Sequence, residues 1–148
     1  MNKAASRFVK IVQHYVFEVN RIEERSVQSK VLAMVAAIAL DPEQLWEALL
    51  NLIRNAVDAM PGGGNLTIAT KRNGTKALVS ISDNGHGITE EEARNLFIPF
   101  FTTKTDGTGL GLAHTQQIVN EHGGRIDWTT KRGEGSTFTI QLPLAVGP

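Results

Sequence analysis

The chain has 148 residues, enough for one domain with a real core, and its 15 basic and 15 acidic side chains cancel. A neutral balance sets up no global field for nucleic acid or a membrane surface, and with no cysteine there is no disulfide framework or thiolate metal site. The start, "MNKAASRFVK", lacks the apolar stretch of a signal peptide, and the longest apolar run, Val31 to Leu40, is too short to span a bilayer. A soluble domain of a reducing, cytoplasmic compartment is expected.

Phe8, Val9, Ile11, Val12, Tyr15, Val16 and Val19 recur at helical spacing, so residues 1–20 are expected to form an amphipathic helix. Arg25 to Leu40 is rich in Val, Ala and Ile and reads as one or two short strands. "DPEQLWEALLNLIRNAVDAM" is the clearest helix: Asp41 suits the N-cap, Pro42 the first helical position, and Glu43 the positive helix end. "PGGG" at 61–64 stops it. "NLTIATKRN" and "KALVSISD" follow as two strands joined by Asn73-Gly74, a strong hairpin signal. From Asn84 to Thr108 the periodicity dissolves into a long loop, with Thr89 and Glu92 placed to cap one short helix. A further helix is expected from about Gly109 to His122, closed by Gly123-Gly124. "RIDWTTKR" and "GSTFTIQLP" form the last strand pair. Strands in adjacent antiparallel pairs exclude a doubly wound sheet. The expected class is α+β: a mixed, mostly antiparallel sheet covered on one face by about three helices, in a single domain spanning 1–148.

The capped helix carries a conflict. Leu45, Leu49, Leu52, Ile53, Ala56 and Met60 make its apolar face, while Glu47, Asn51, Asn55 and Asp58 share another stripe. A solvated face explains the acids. Two asparagines one turn apart are poorer helix formers, and their amide oxygens suit a hard cation, for Mg²⁺ takes one or two protein ligands beside phosphate oxygens. "DGTGLGLAH" runs Gly107, Gly109 and Gly111 into a helix start, a backbone cradle for phosphates, although the same run could serve as a hinge. It matches neither G-x-G-x-x-G nor the P-loop pattern. "DNGHGI", at 83–88, leaves a strand with an acid and two glycines around His86, as though backbone had to approach something closely.

In this order the motifs resemble the catalytic, ATP-binding domain of sensor histidine kinases, of the class shared with gyrase, mismatch-repair and heat-shock-chaperone ATPases (the GHKL type, or Bergerat fold). "NLIRNAVDAM" is similar to the N box (about 47–60), "DNGHGI" to the first glycine box (83–88), "FIPFFTTK" to the F box (97–104), and "GTGLGL" to the second glycine box (107–112). The likeness runs from about Asp41 to Pro143, with residues 1–40 standing for the family's first helix and strands. It implies a two-layer sandwich with a mobile ATP lid over about 88–108, and ATP and Mg²⁺ as cofactors. Asp83 would accept a hydrogen bond from the adenine amino group; an ionised carboxylate only accepts, and guanine presents a carbonyl there. Gly85 and Gly87 would let the loop pass close to the base. Asn55 matches the Mg²⁺ ligand, with Asn51 near the same metal. Asn51, Asn55 and Lys104 are the implied catalytic set. Thr102, Thr103 and Lys104 would meet the phosphates, and Phe97, Phe100 and Phe101 would anchor the lid. Ile88, Gly107, Thr108, Gly109, Leu110, Gly111 and Leu112 complete the implied nucleotide contacts. Ser136 matches a hydroxyl position near adenine, with Thr137 as the second choice.

Two departures matter. Hydrolysing relatives carry a glutamate base where this chain has Asn51, and an amide cannot take the proton from water; a positioned base is worth roughly 10²–10⁴ in rate. Asp58 stands where many members carry lysine, so no binding role is assigned to it. His14, His86, His114 and His122 all lack the acid that follows a phosphoacceptor histidine. The expected activity is therefore transfer of the γ-phosphate of ATP to a histidine on a separate dimerisation and phosphoacceptor hairpin, with a response-regulator receiver downstream. Neither nucleic acid nor membrane is an expected partner, and the isolated domain is expected to be a monomer that does not label itself. The alternatives are an anti-sigma-type serine kinase with similar boxes and a nucleotide-gated interaction module without transfer chemistry; a stand-alone ATPase is disfavoured by Asn51.

Overall fold

A computed structural model of the chain describes residues 13–19, 42–99 and 111–143. In chain order these form β1 (Gln13–Glu18), α1 (Pro42–Asp58), β2 (Asn65–Asn73), β3 (Lys76–Asp83), α2 (Glu90–Asn95), α3 (Gly111–Glu121), β4 (Arg125–Lys131) and β5 (Gly135–Pro143). The five strands lie in the order β1-β2-β3-β5-β4, and every pairing is antiparallel. This is the expected α+β architecture. Among the described residues no helix is long and apolar enough to cross a membrane.

Strand alternation sorts the sheet into two faces. Leu66 and Ile68 of β2, Ala77, Val79 and Ile81 of β3, and Phe138, Ile140 and Leu142 of β5 turn to one face and are buried. Leu45, Leu49, Leu52, Ile53 and Ala56 of α1 and Met60 just past its end, the whole apolar set expected for this helix, close over them in one core with Val119 of α3. Leu49 is fully buried, so truncation to alanine would cost about 2–5 kcal/mol. On the other face Ser82 and Thr137 meet hydroxyl to hydroxyl at 2.9 Å.

The short helix α2 begins as Thr89 and Glu92 require. Each side chain accepts from the other's backbone N–H at 3.1 Å, a complete capping box. Helix α3 ends with Gly124 N–H on the Val119 carbonyl and Gly123 N–H on Asn120, the paired bonds of a Schellman stop.

Two expectations need correction. Residues 13–18, expected within a helix, form the strand β1, paired antiparallel with β2. Val16 is exposed while Phe17 packs on the core, so the β-branched and aromatic residues there serve a two-residue repeat once β2 offers a pairing edge. Residues 1–12, the strands expected over 25–40 and the Asp41 cap lie outside the described residues. The β2–β3 turn is also one residue later than expected: Asn73 pairs with Lys76, leaving Gly74 (φ +63°) and Thr75 as the two-residue loop.

Candidate functional site

The nucleotide-reading candidates gather where β3 ends beside the C-terminus of α1. Asp83 closes β3 opposite Ser136 and lies in the same side-chain register as Ile81 and Val79, the face that α1 covers. Its Oδ1 accepts the backbone N–H of Gly85 at 2.9 Å. Burial pushes its carboxyl above its ordinary pKa; the backbone N–H groups of Gly85 and Ser136 and the nearby His86 pull the other way. A half-buried acceptor held by main-chain donors is a fixed reader for an N–H donor.

The glycines of 83–88 have partners within the protein. A Cβ on Gly85 would stand 2.2 Å from the Ala59 carbonyl oxygen, just past the end of α1, where His86 N–H also donates at 3.1 Å. A Cβ on Gly87 would stand 2.2 Å from the Lys131 carbonyl oxygen, and Gly133 N–H donates to the His86 carbonyl at 2.7 Å. The glycine loop is thus pressed between α1 and the β4–β5 turn. The room that the sequence was expected to leave for a base is filled, at these two Cβ positions, by backbone of the chain itself.

Ser136 and Thr137 part company. Ser136 is buried with its Oγ 2.9 Å from Thr130 Oγ1, and Thr130 also accepts the Ile88 N–H at 3.0 Å. Strand alternation turns Thr137 to the opposite face, where it meets Ser82, so the second-choice position cannot reach the Asp83 side.

The asparagine stripe runs along α1 toward α3. Asn51 Nδ2 donates to the Gly111 carbonyl and to Thr115 Oγ1, each at 3.2 Å. A carbonyl only accepts, so this contact places the amide nitrogen inward and leaves Oδ1 as the ligand-type atom. Asn55 follows one turn later, half-buried, on the stretch that leads to Ala59. Glu47 approaches His114 of α3 at 3.8 Å, a further link between the two helices. Among the described residues no group of three His, Cys, Asp or Glu side chains could hold a metal ion. Asparagine oxygens beside a polyphosphate still fit Mg²⁺, which keeps most of its shell as water and phosphate. Gly111 opens α3 and Leu112 packs on the core. Phe97 stacks at a tilt on Trp128, ring centres 5.0 Å apart, and so fastens the start of the F box to β4. Phe100, Phe101, Thr102, Thr103, Lys104, Gly107, Thr108, Gly109 and Leu110 lie outside the described residues.

Sequence reasoning missed Thr115, Thr130 and the Ala59 carbonyl. Thr115 had a readable signal, a polar residue on the apolar stripe of α3 with Ile118 and Val119. The Ala59 carbonyl had none, for its role depends on how the loop returns to the helix.

The family of "Histidine kinase-, DNA gyrase B-, and HSP90-like ATPase" proteins matches residues 40–146. The sensor histidine kinase ZraS of Salmonella typhi is 40% identical over 125 residues, covering 82% of this chain and 27% of that protein. ZraS of Klebsiella oxytoca is 46% identical over 108 residues, 72% of this chain and 23% of its own length. Sporulation kinase C of Bacillus subtilis is 39% identical over 104 residues, 70% and 24% of the two chains. The chain therefore spans about a quarter of the curated relatives it matches. Among solved structures, a nucleotide-free catalytic domain of histidine kinase ThkA superposes with TM-score 0.66 at 28% identity, over 88% of this chain and 96% of that one. A mycobacterial sensor histidine kinase, MprB, gives TM-score 0.66 at 26% identity, over 88% and 98%.

Proposed function

From the premise that the chain belongs to the histidine kinase-, DNA gyrase B- and HSP90-like ATPase family, in its sensor histidine kinase form, we propose that it binds ATP with Mg²⁺ and hands the γ-phosphate to a histidine on a separate helical hairpin. The supporting observation is the Asp83 carboxylate: half-buried, fixed by the Gly85 N–H, and next to a loop that rests on α1 one turn beyond Asn55.

Asp83 would accept from the adenine amino group, and a guanine carbonyl would meet it as acceptor against acceptor. Asn55, with the Oδ1 of Asn51, would hold Mg²⁺, which when bound neutralises phosphate charge. Lys104, Thr102 and Thr103 would meet the phosphates from the lid, expected over about 88–108. Gly111, at the start of α3, would offer backbone to the same phosphates. Ile88 and Ser136 would line the base side, tied together through Thr130. Asn51, an amide, cannot take a proton from water, so ATP would be retained for another acceptor. That acceptor would be the phosphoacceptor and dimerisation hairpin of the same kinase, with a receiver downstream and the domain facing the cytoplasm.

The test has two stages. Calorimetric titration with ATP, ADP and GTP should show adenine preference, and equal affinity for GTP would remove Asp83 from the reading. Incubation with γ-labelled ATP should then give no self-labelling of the isolated chain, and acid-labile labelling once the hairpin is supplied. The untethered reaction should be weak, lacking the effective concentration of a covalent link. An acid-stable label would support a serine kinase instead. No label, with ATP altering hairpin affinity, would support a nucleotide-gated interaction module.

A further inference from the structure

Thr115 is fully buried on the apolar face of α3, in a position where an aliphatic side chain would ordinarily pack. Its Oγ1 lies 2.9 Å from the Gly111 carbonyl, 3.3 Å from the Ala48 carbonyl and 3.2 Å from Asn51 Nδ2. The hydroxyl carries one proton, which goes to a carbonyl, and its lone pairs face the Asn51 amide. That amide nitrogen therefore has two acceptors on the α3 side, the Thr115 oxygen and the Gly111 carbonyl. The other branch, Oδ1, lies beside the first residue of α3: a Cβ on Gly111 would stand 3.8 Å from it.

We propose that Thr115 is a positioning residue for the nucleotide site: it holds the Asn51 NH₂ inward, so that Oδ1 faces the cation accompanying a bound polyphosphate. The inference rests on the ATP reading of the site. Without the Thr115 hydroxyl the amide keeps one inward acceptor instead of two. A flipped amide would point N–H donors at the cation and repel it. Thr115 never touches the ligand and acts only through Asn51. Because Ala48 and Asn51 belong to α1 while Gly111 and Thr115 belong to α3, the same cluster locks the two helices in register.

The experiment titrates the whole chain, as wild type, Thr115→Val and Thr115→Ser, with adenosine and with ATP, each with and without Mg²⁺. Thr115→Val should reduce the Mg²⁺ enhancement of ATP binding about tenfold, while adenosine affinity stays within about twofold. Thr115→Ser should restore the enhancement. In an Asn51→Ala background, Thr115→Val should change nothing further, as non-additivity requires of two groups acting through one contact. Should Thr115→Val not fold, Thr115→Cys, similar in size and a weaker hydrogen-bonding partner, replaces it. An unchanged Mg²⁺ enhancement in the variant overturns the proposal. So does an equal loss for adenosine and ATP, or a loss that persists without Asn51. Wild type that binds neither adenosine nor ATP would overturn the ATP reading itself, an outcome visible before any variant is compared.

Discussion

Substituting Gly85 by alanine tests whether the first glycine box is built for the ligand or for the protein. The new Cβ would lie 2.2 Å from the Ala59 oxygen and 2.7 Å from the Ala59 carbonyl carbon. Both are backbone atoms at the end of a packed helix, so the loop must retreat by roughly 1 Å before the contact becomes ordinary. Overpacking of that kind costs about 1–3 kcal/mol. The retreat also strains the His86 N–H bond to Ala59, about 1 kcal/mol more. For a domain of this size about 3 kcal/mol corresponds to a fall of roughly 6–12 °C in the unfolding midpoint. Gly111→Ala is the counterpart in the second glycine box. Its Cβ would stand 3.7 Å from Asn51 Cγ, an ordinary contact, and alanine favours a helix over glycine by up to about 1 kcal/mol. Calorimetric unfolding of the two variants without nucleotide should therefore show a marked loss for Gly85→Ala and none for Gly111→Ala. Equal midpoints for Gly85→Ala and wild type would refute the packing argument and return the glycine to the ligand.

Burial raises the folded-state pKa of Asp83 above its unfolded value, so stability falls as pH rises through the window between them, where only the folded chain keeps the proton. Asp83→Asn should unfold at a higher temperature than wild type at about pH 7, a gap that closes at about pH 3, while ATP affinity falls roughly 10- to 100-fold; a variant less stable at neutral pH contradicts this. Asn55→Ala should lose most of the Mg²⁺ enhancement of ATP binding and keep adenosine affinity; enhancement equal to wild type in the same titration would leave the α1 stripe a solvated face. Thr70 is 1% exposed and its Oγ1 has no hydrogen-bond partner among the described residues, so Thr70→Val should stabilise the chain by about 1 kcal/mol in urea unfolding, and a lowered midpoint would count against an orphaned hydroxyl.

What could be read in advance followed from local chemistry. α1 was legible because its capping residues, apolar spacing and glycine stop agree, and its expected core residues are buried. The α2 capping box was legible for the same reason. β1 was not, because Tyr15, Val16 and Val19 satisfy a helical spacing, and only the free edge of β2 decides against it. The two hairpin strands were read at their observed bounds, and only the Asn-Gly turn signal ran one residue early, because the Asn73–Lys76 pairing is set along the whole length of both strands. For the site, Asp83 and the asparagines stood out by residue type. The separation of Ser136 from Thr137 needed the strand's phase, which a two-residue repeat of Ser and Thr does not reveal.

The two halves of the site share one ruler. Ala59, just past the C-terminal end of α1, bears the loop that follows Asp83, while Asn51 on the same helix reaches the start of α3 and Asn55 lies one turn on from it. Asn55 and Ala59 are one turn apart, about 6 Å along the axis. The spacing between the first glycine loop's support at Ala59 and the asparagines is then set by a rigid, core-packed helix rather than by that loop. The first glycine loop and the start of α3 are each fastened to that helix: Gly85 lies against the Ala59 carbonyl, and the Gly111 carbonyl accepts from the Asn51 amide. On the far side, Gly87 and Gly135 come close to the carbonyls of Lys131 and Asp83, so Asp83 is held from both directions. The Gly85 N–H that holds the Asp83 carboxylate is a donor fixed by that packing, so under the proposed reading little reorganisation would be left for the moment of binding. Mutations that shift α1 as a unit should therefore weaken adenosine and Mg²⁺-dependent ATP binding together, whereas those confined to Asp83 or to the Asn51–Thr115 contact should separate them.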